Sequence, residues 1–312
     1  MKTLLVGYKA ADLTPQMLEG EVTCHVLDIY HAHAIEKVHP GANVVCSAHL
    51  PHGEWDLIRF RTGPALMSGE LALDLLQEIH LLAPKRFELD FVGRRERDRN
   101  DLLNKIKADP SRVRSFRAVW PASVPGGRKM LFASYPGCFC HRRLDEGGLA
   151  LAEVVARDLQ SAAPAQRRLL DMGCGCGLVG LLVSSVVPQL RLTLVDSHTR
   201  AVEAARENAE SFGADAEVIL ADDGLDSNQP SELFDVFVGN PPYYSDYRIA
   251  EVFLETAKKA LKPGGVCYTV VKNDAGLKPV QERFFPSVEV IRRRGYCVLK
   301  SIAAPPGRQS RK

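Results

Sequence analysis

Two short segments of the chain bring together side chains that could do chemistry. The first is Leu169-Leu170-Asp171-Met172-Gly173-Cys174-Gly175-Cys176-Gly177, an apolar run ending in an acid and glycines at alternate positions. Glycines so spaced let a backbone turn tightly and approach a ligand closely before a helix, here predicted to begin near Leu178. Gly175-x-Gly177-x-x-Gly180, with Asp196 twenty-one residues after Gly175, also satisfies the dinucleotide pattern, which is weak by itself. Asp171 turns the reading away from a dinucleotide. At a strand's carboxyl end, two residues before the first glycine, its carboxylate repels a pyrophosphate and attracts a positively charged amino-acid moiety. Asp196 closes the next strand, 192–195, where a carboxylate can hold both hydroxyls of a ribose, with Ser197 beside it. Asp222 and Asp223 close the strand after that and offer acceptors to an adenine amino group.

The second segment is Asn240-Pro241-Pro242-Tyr243, after a buried strand predicted over Phe234–Gly239. Two prolines fix φ and hold the preceding backbone out of helix. That rigidity can aim the Asn240 side-chain oxygen and the Pro241 carbonyl at one donor group. An exocyclic amino group on a base is planar and a poor nucleophile, because its lone pair is delocalised into the ring. Two acceptors on its hydrogens favour a tetrahedral, more nucleophilic form. Tyr243 can stack on the flat face of the target, and a base must be unstacked to reach it. Positioning and electrostatics then suffice, with no covalent enzyme intermediate.

These segments have to be held at strand ends, and the chain supplies the necessary unit twice. Residues 55–92 align without gaps on 234–271: Trp55-Asp56-Leu57-Ile58 on Phe234-Asp235-Val236-Phe237, a helix over 71–82 on one over 250–261, Pro84 on Pro263, and a strand over 87–92 on one over 266–271. Upstream, 22–28 and its helix resemble 191–196 followed by 201–209. Strand–helix alternation of this kind predicts parallel sheets with helices on both faces. The copies differ where chemistry would sit, since Arg61-Thr62-Gly63-Pro64 stands against Asn240-Pro241-Pro242-Tyr243 and no glycine loop follows Leu4-Leu5-Val6. The expected division is a degenerate domain over 1–134 and an equipped one over 135–312, with the Pro- and Gly-rich stretch 121–137 as the connection.

The 312 residues are 46% hydrophobic and 25% charged, as in soluble globular proteins, and suffice for two cores. No apolar run is long enough for a membrane span, and eight cysteines without disulfide-like spacing fit a reducing cytoplasm. Neither Cys138-Phe139-Cys140 nor Cys174-Gly175-Cys176 has zinc-ligand spacing, so no metal is expected. The net charge of +2 excludes a uniformly basic nucleic-acid coat. It is, however, a sum over unlike parts: 85–129 and 283–312 each carry a surplus of seven basic residues, against an acidic remainder. Such segregation can give a face that attracts phosphate. Arg94, Arg95, Arg97 and, at the last strand's end, Lys272 are the substrate-contact candidates.

The glycine loop with its three acidic positions resembles the cofactor site of class I S-adenosylmethionine-dependent methyltransferases. With Asn-Pro-Pro-Tyr, the second half is similar to the small-domain methyltransferases that act on amino groups of nucleobases or glutamine. The duplicated build, Tyr135-Pro136-Gly137-Cys138-Phe139, Leu144-Asp145-Glu146-Gly147-Gly148, Arg191-Leu192-Thr193-Leu194-Val195-Asp196 and Gly264-Gly265 resemble bacterial ribosomal RNA guanine-N2 methyltransferases. The resemblance covers 135–302 well and 1–134 mainly in architecture. It implies an α/β fold of two tandem Rossmann-like methyltransferase domains, the first degenerate and the second catalytic. It also implies S-adenosylmethionine bound by Asp171, Gly173, Gly175, Gly177, Asp196, Ser197, Asp222, Asp223 and Asn240. The implied catalytic group is Asn240, Pro241, Pro242 and Tyr243, and the implied protein is a monomeric cytoplasmic enzyme acting on ribosomal RNA. Tyr243 stands where the guanine-directed family usually has Phe. Adenine N6 and protein glutamine are therefore the alternative targets, and an RNA-binding module with a vestigial pocket is the non-enzymatic alternative.

Overall fold

The computed structural model describes residues 1–93, 96–107, 114–163, 165–222, 233–242 and 247–304, so Arg94, Arg95, Asp223 and Tyr243 lie outside the described residues. Two compact units interleave in sequence: Met1–Ala118 with Ser134–His141 and Ser197–Arg200, and Val119–Ala133 with Arg142–Asp196 and Ala201–Lys312.

In the first unit, β1 (Lys2–Val6), β2 (Glu21–Val26), α1 (Ile29–Val38), β3 (Asn43–Cys46), β4 (Leu57–Thr62), α2 (Gly69–Leu82), β5 (Arg86–Phe91) and α3 (Glu96–Lys107) follow in order. The strands form a parallel sheet, β3-β2-β1-β4-β5. Because successive strand side chains alternate, Leu4 and Val6 join Ile58, Phe60 and the α2 stripe Leu71, Leu75 and Ile79 in one core, while Leu5 joins Cys24, Val26 and Ile35 in another. Ser68 starts α2 by accepting from the Leu71 N–H at 3.2 Å, and Asp28 starts α1 by accepting from Tyr30 at 2.9 Å. Between β1 and β2 there are only two short 3-10 turns, Ala10–Asp12 and Pro15–Leu18.

The second unit begins with a ribbon. β6 (Ala118–Ala122) and β7 (Met130–Ser134) form a two-stranded sheet that overlaps the stretch 121–137 read as the connection. Ala118, Trp120 and Ala122 alternate inward while Pro121 takes an exposed position, where a missing N–H is tolerated. Trp120 stacks on Phe132 at 5.4 Å, and Phe132 meets Phe212 edge-on at 5.0 Å.

Then come α4 (Glu146–Ser161), β8 (Arg167–Met172), α5 (Leu178–Ser184), β9 (Leu190–Asp196), α6 (Thr199–Phe212), β10 (Ala216–Leu220), β11 (Phe234–Gly239), α7 (Arg248–Ala260), β12 (Leu261–Val271), α8 (Asp274–Glu282), β13 (Glu289–Arg293) and β14 (Tyr296–Ile302). The sheet runs β10-β9-β8-β11-β12-β14-β13, parallel through β12 and antiparallel beyond it. Its order reverses between β8 and β11, the crevice at which open α/β sheets bind ligands. Leu170, Met172 and Phe237 pack with Phe253, Leu254 and Ala257 of α7, which leaves Leu169 and Asp171 to the opposite face. Among the described residues no helix is long and apolar enough to cross a membrane.

The duplication is legible in strand register. Leu5 pairs with Arg59 as Asp171 pairs with Val238, and Val6 with His25 as Met172 with Val195. Carried one residue on, Val26, not Asp28, is the counterpart of Asp196. The ungapped match slips by one at β5, where Leu57 meets Arg86 but Val236 meets Val266, because the second copy has a register irregularity between Phe234 and Val236.

Candidate functional site

The site is built where β8, β9, β10 and β11 end. Beyond Met172 the backbone takes left-handed conformations at Gly173 (φ 66°), Gly175 (φ 57°) and Gly177 (φ 82°), a sequence of turns that side chains with a Cβ resist. Gly177 leads into α5. Its N–H bonds the Cys174 carbonyl at 2.8 Å, and the Cys174 N–H bonds the Val195 carbonyl at 3.0 Å, which ties the loop to β9.

The three glycines are not equivalent. A Cβ at Gly173 would lie 2.8 Å from the Phe253 ring, whereas one at Gly175 would meet nothing within 4 Å. Gly175 therefore faces open space in which another molecule's atoms can approach backbone. Both alanine variants bear the left-handed cost of about 1–2 kcal/mol. Gly173→Ala is expected to lose about 1–3 kcal/mol more through overpacking, and thermal unfolding of the two variants checks the order.

Asp171 is 2% exposed on the face toward α5, and its Oδ2 accepts the Gly180 N–H at 2.9 Å. Its other oxygen has no partner among the described residues. Burial pushes the carboxyl up to about 7, the Gly180 N–H opposes that, and the nearby Asp196 charge adds to it. A buried acid held in this way calls for a cation. The folded value lies above the unfolded 3.8, so the folded state holds this proton more tightly. Its contribution to stability is present below about pH 4 and lost as pH rises through about 7. Asp171→Asn is expected to flatten that part of the unliganded melting temperature between pH 4 and 8; parallel profiles for the two proteins would contradict this.

Asp196 ends β9, and its Oδ2 accepts the Gly175 N–H at 2.8 Å. The Ala221 N–H reaches the Asp196 carbonyl at 3.1 Å, which sets Asp222 just past β10 at the same edge of the sheet. Asn240 follows β11, whose Gly239 pairs with Met172, so Asn240 stands one strand over from the glycine loop. It is half-buried, Pro241 is buried, and its Nδ2 donates to Asp145 Oδ2 at 2.8 Å. The structure thus brings Asp171, the three glycines, Asp196, Asp222 and Asn240 to one sheet edge, and it adds Asp145, which the sequence offered only as part of the Leu144-Asp145-Glu146-Gly147-Gly148 segment.

Other expected residues stand elsewhere. Ser197 belongs to the first unit, where its hydroxyl donates to Asp28 at 3.1 Å. Arg97 is exposed on α3 of that unit. Exposed Lys272, beyond β12, holds its ammonium 4.2 Å from the centroid of the Tyr296 ring. Several side chains of the basic stretches are ion-paired: Lys85 with Asp56 at 2.6 Å, Arg86 with Glu88 at 2.5 Å, Arg294 with Glu146 at 3.0 Å and Lys300 with Asp158 at 2.7 Å. That pairing reduces the charge available to a phosphate.

The first unit carries other side chains at the corresponding positions. Leu5, Val26 and Arg61 occupy the places of Asp171, Asp196 and Asn240, and Arg61 is ion-paired with Asp90 and, at 3.0 Å, with Asp12. A Cβ at Gly7 would lie 2.5 Å from the Arg61 carbonyl oxygen, and one at Gly63 1.9 Å from that of Val92. Neighbouring backbone carbonyls thus crowd Gly7 and Gly63.

The family model described as methyltransferase small domain matches residues 129–300. The ribosomal RNA large subunit methyltransferase G of Pseudomonas syringae pv. tomato is 30% identical over 261 residues, 81% of this chain and 60% of that protein. The ribosomal RNA small subunit methyltransferase C of Pseudomonas aeruginosa is 38% identical over 154 residues, 48% of this chain and 44% of that protein. The chain therefore spans about half the length of these curated relatives. Among solved structures, a 16S rRNA N2 methyltransferase of T. thermophilus in complex with AdoMet and guanosine shares the fold at TM-score 0.80, over 97% of this chain and 88% of that chain, at 18% identity.

Proposed function

Because the chain belongs to the methyltransferase small domain family, we propose that it transfers a methyl group from S-adenosylmethionine to an exocyclic amino group of an RNA base, guanine N2 in ribosomal RNA. The observation that carries this reading is one sheet edge holding both a cradle for the donor and an amide beside it. The residues fit the donor: Asp171 is a buried carboxylate with an unpartnered oxygen, suited to an ammonium, Asp196 is a strand-end acceptor for ribose hydroxyls, and Gly175 opens onto space that a Cβ would enter. Asp222 and Asp223 supply acceptors for the adenine amine, while Ser197 stays with the first unit. When bound, S-adenosylmethionine supplies an electrophilic methyl group on a cationic sulfur.

The chain's own contribution is at the amine. Asn240 Oδ1 and the Pro241 carbonyl accept from the amino hydrogens, which localises the nitrogen lone pair and fixes its direction. Tyr243 provides the stacking surface for an unstacked base. The first unit keeps the fold without the acids or the open glycine, which suits a substrate platform. Arg94, Arg95 and Arg97 are its proposed contacts with RNA, and Lys272 is that of the catalytic unit. The names of the relatives favour ribosomal RNA, and the guanosine bound to the T. thermophilus protein favours guanine.

The test is transfer of labelled methyl to ribosomal RNA lacking its modifications, to ribosomal subunits, to DNA and to protein, followed by digestion. Label recovered in N2-methylguanosine supports the reading. Label only in N6-methyladenine or in glutamine redirects it to those targets, and no label from any acceptor overturns it.

A further inference from the structure

The Asn240 side chain has two faces with opposite hydrogen-bonding character, and only one is useful. Target amine hydrogens need the carbonyl oxygen; the amide nitrogen would present donors to donors. Nothing in the Asn-Pro-Pro turn itself chooses between the two. The choice lies ninety-five residues upstream, where Asp145 Oδ2 accepts Asn240 Nδ2 at 2.8 Å. An ionised carboxylate is an acceptor only, so the nitrogen must face it and Oδ1 must face away.

We propose that Asp145 is a positioning residue that sets the polarity of the Asn240 amide, so that Oδ1 meets the target amine. This rests on the methyl-transfer reading above. Three observations support a carboxylate held in place for this purpose. First, Asp145 is the N-cap of α4, with Oδ1 accepting the Gly147 N–H at 3.0 Å. Ser, Thr or Asn would cap equally well, but none of them is an acceptor-only fork that can cap with one oxygen and orient an amide with the other. Second, the carboxylate lies folded against the helix start, where a Cβ at Gly148 would sit 2.6 Å from Asp145 Oδ2. The two glycines after Glu146 thus leave room for the group that reaches Asn240.

Third, α4 is a rigid base. Residues 147–156 are all buried. Asp158 accepts from Lys300 Nζ at 2.7 Å and from the Tyr268 hydroxyl at 3.0 Å, and Glu153 is bridged by Arg293 and, at 3.4 Å, by Arg294. An orienting group mounted on a packed helix holds its angle better than one on a loop.

The experiment compares Asp145→Asn and Asp145→Ser, both of which retain a capping oxygen, with wild type and Asn240→Ala. In Asp145→Asn an amide faces an amide, and both Asn240 polarities become populated. We expect kcat for methyl transfer to fall about 10- to 100-fold, with the S-adenosylmethionine Kd within two-fold of wild type. In the Asn240→Ala background, Asp145→Asn should add nothing, because the group it orients is gone. A readout independent of transfer is the Asn240 side-chain NH2 resonance, assigned by its loss in Asn240→Ala. It should move toward the free-amide position in Asp145→Ser. Retention of wild-type kcat in Asp145→Asn, an equal further loss on top of Asn240→Ala, or an unmoved resonance overturns the proposal. If Asn240→Ala itself transfers at the wild-type rate, the amine-directed reading fails first and the Asp145 role falls with it.

Discussion

Asn240→Ala is expected to lower the rate of methyl transfer by about 10²–10³-fold, the scale of losing one preorganised polar group at a reacting centre. The S-adenosylmethionine Kd should stay within about three-fold of wild type. The separation follows from where the residues stand. The proposed donor contacts come from the ends of β8, β9 and β10 and from the glycine loop, which is braced by Asp196 on Gly175 and by the β9 backbone on Cys174. None of those braces passes through the Asn240 side chain, whose hydrogen bond goes to Asp145. Removing it therefore leaves the cradle standing and takes an acceptor from the amine. Calorimetric titration with S-adenosylmethionine, paired with single-turnover transfer to RNA, separates the two effects. A variant that binds poorly and transfers normally at saturation would reverse the assignment.

Asp196→Ala is expected to do the opposite, raising the S-adenosylmethionine Kd about 10²-fold or more while the rate at saturating donor stays near wild type. Two losses add here. The alanine cannot accept from ribose hydroxyls, and it also releases the Gly175 N–H now held at 2.8 Å. Hydrogen bonds to a charged group are worth about 1.5–3 kcal/mol each, which sets the scale. Asp196→Asn retains an acceptor for Gly175 but not the charge, so an intermediate Kd is expected and apportions the two contributions. Equal affinities for wild type and Asp196→Ala would remove Asp196 from the donor site.

The parts of the site that are local in sequence were legible from it. Asp171 and the alternating glycines lie on one strand and its turn, and period and composition announce both. Asn240 announces itself through the two prolines that stiffen it. What sequence did not reveal depends on contacts between distant positions. Asp145 is one residue of the Leu144-Asp145-Glu146-Gly147-Gly148 segment until α4 is packed on the sheet and its second oxygen meets Asn240. Ser197 is adjacent to Asp196 in the chain, yet the backbone turns there and delivers its hydroxyl to Asp28. The β6–β7 ribbon was hidden because Pro121 and the glycines after Pro125 look like loop residues, whereas the burial of Trp120 and Phe132 is a tertiary fact. The repeat was visible as an ungapped match, and its one-residue slip at β5 was not, since the irregularity that causes it lies in hydrogen bonding.

The same comparison bears on why the proposed site falls in the second copy. Leu5, Val26 and Arg61 are adequate for a sheet core and a surface ion pair, and carbonyls close in on Gly7 and Gly63.

The central claim, that the second unit methylates a base amine of ribosomal RNA, is tested most directly by nucleoside mass spectrometry of ribosomal RNA from cells with and without the protein. The account predicts that one N2-methylguanosine disappears in its absence and returns with wild type but not with Asn240→Ala. An unchanged set of methylated nucleosides in cells lacking the protein would contradict it.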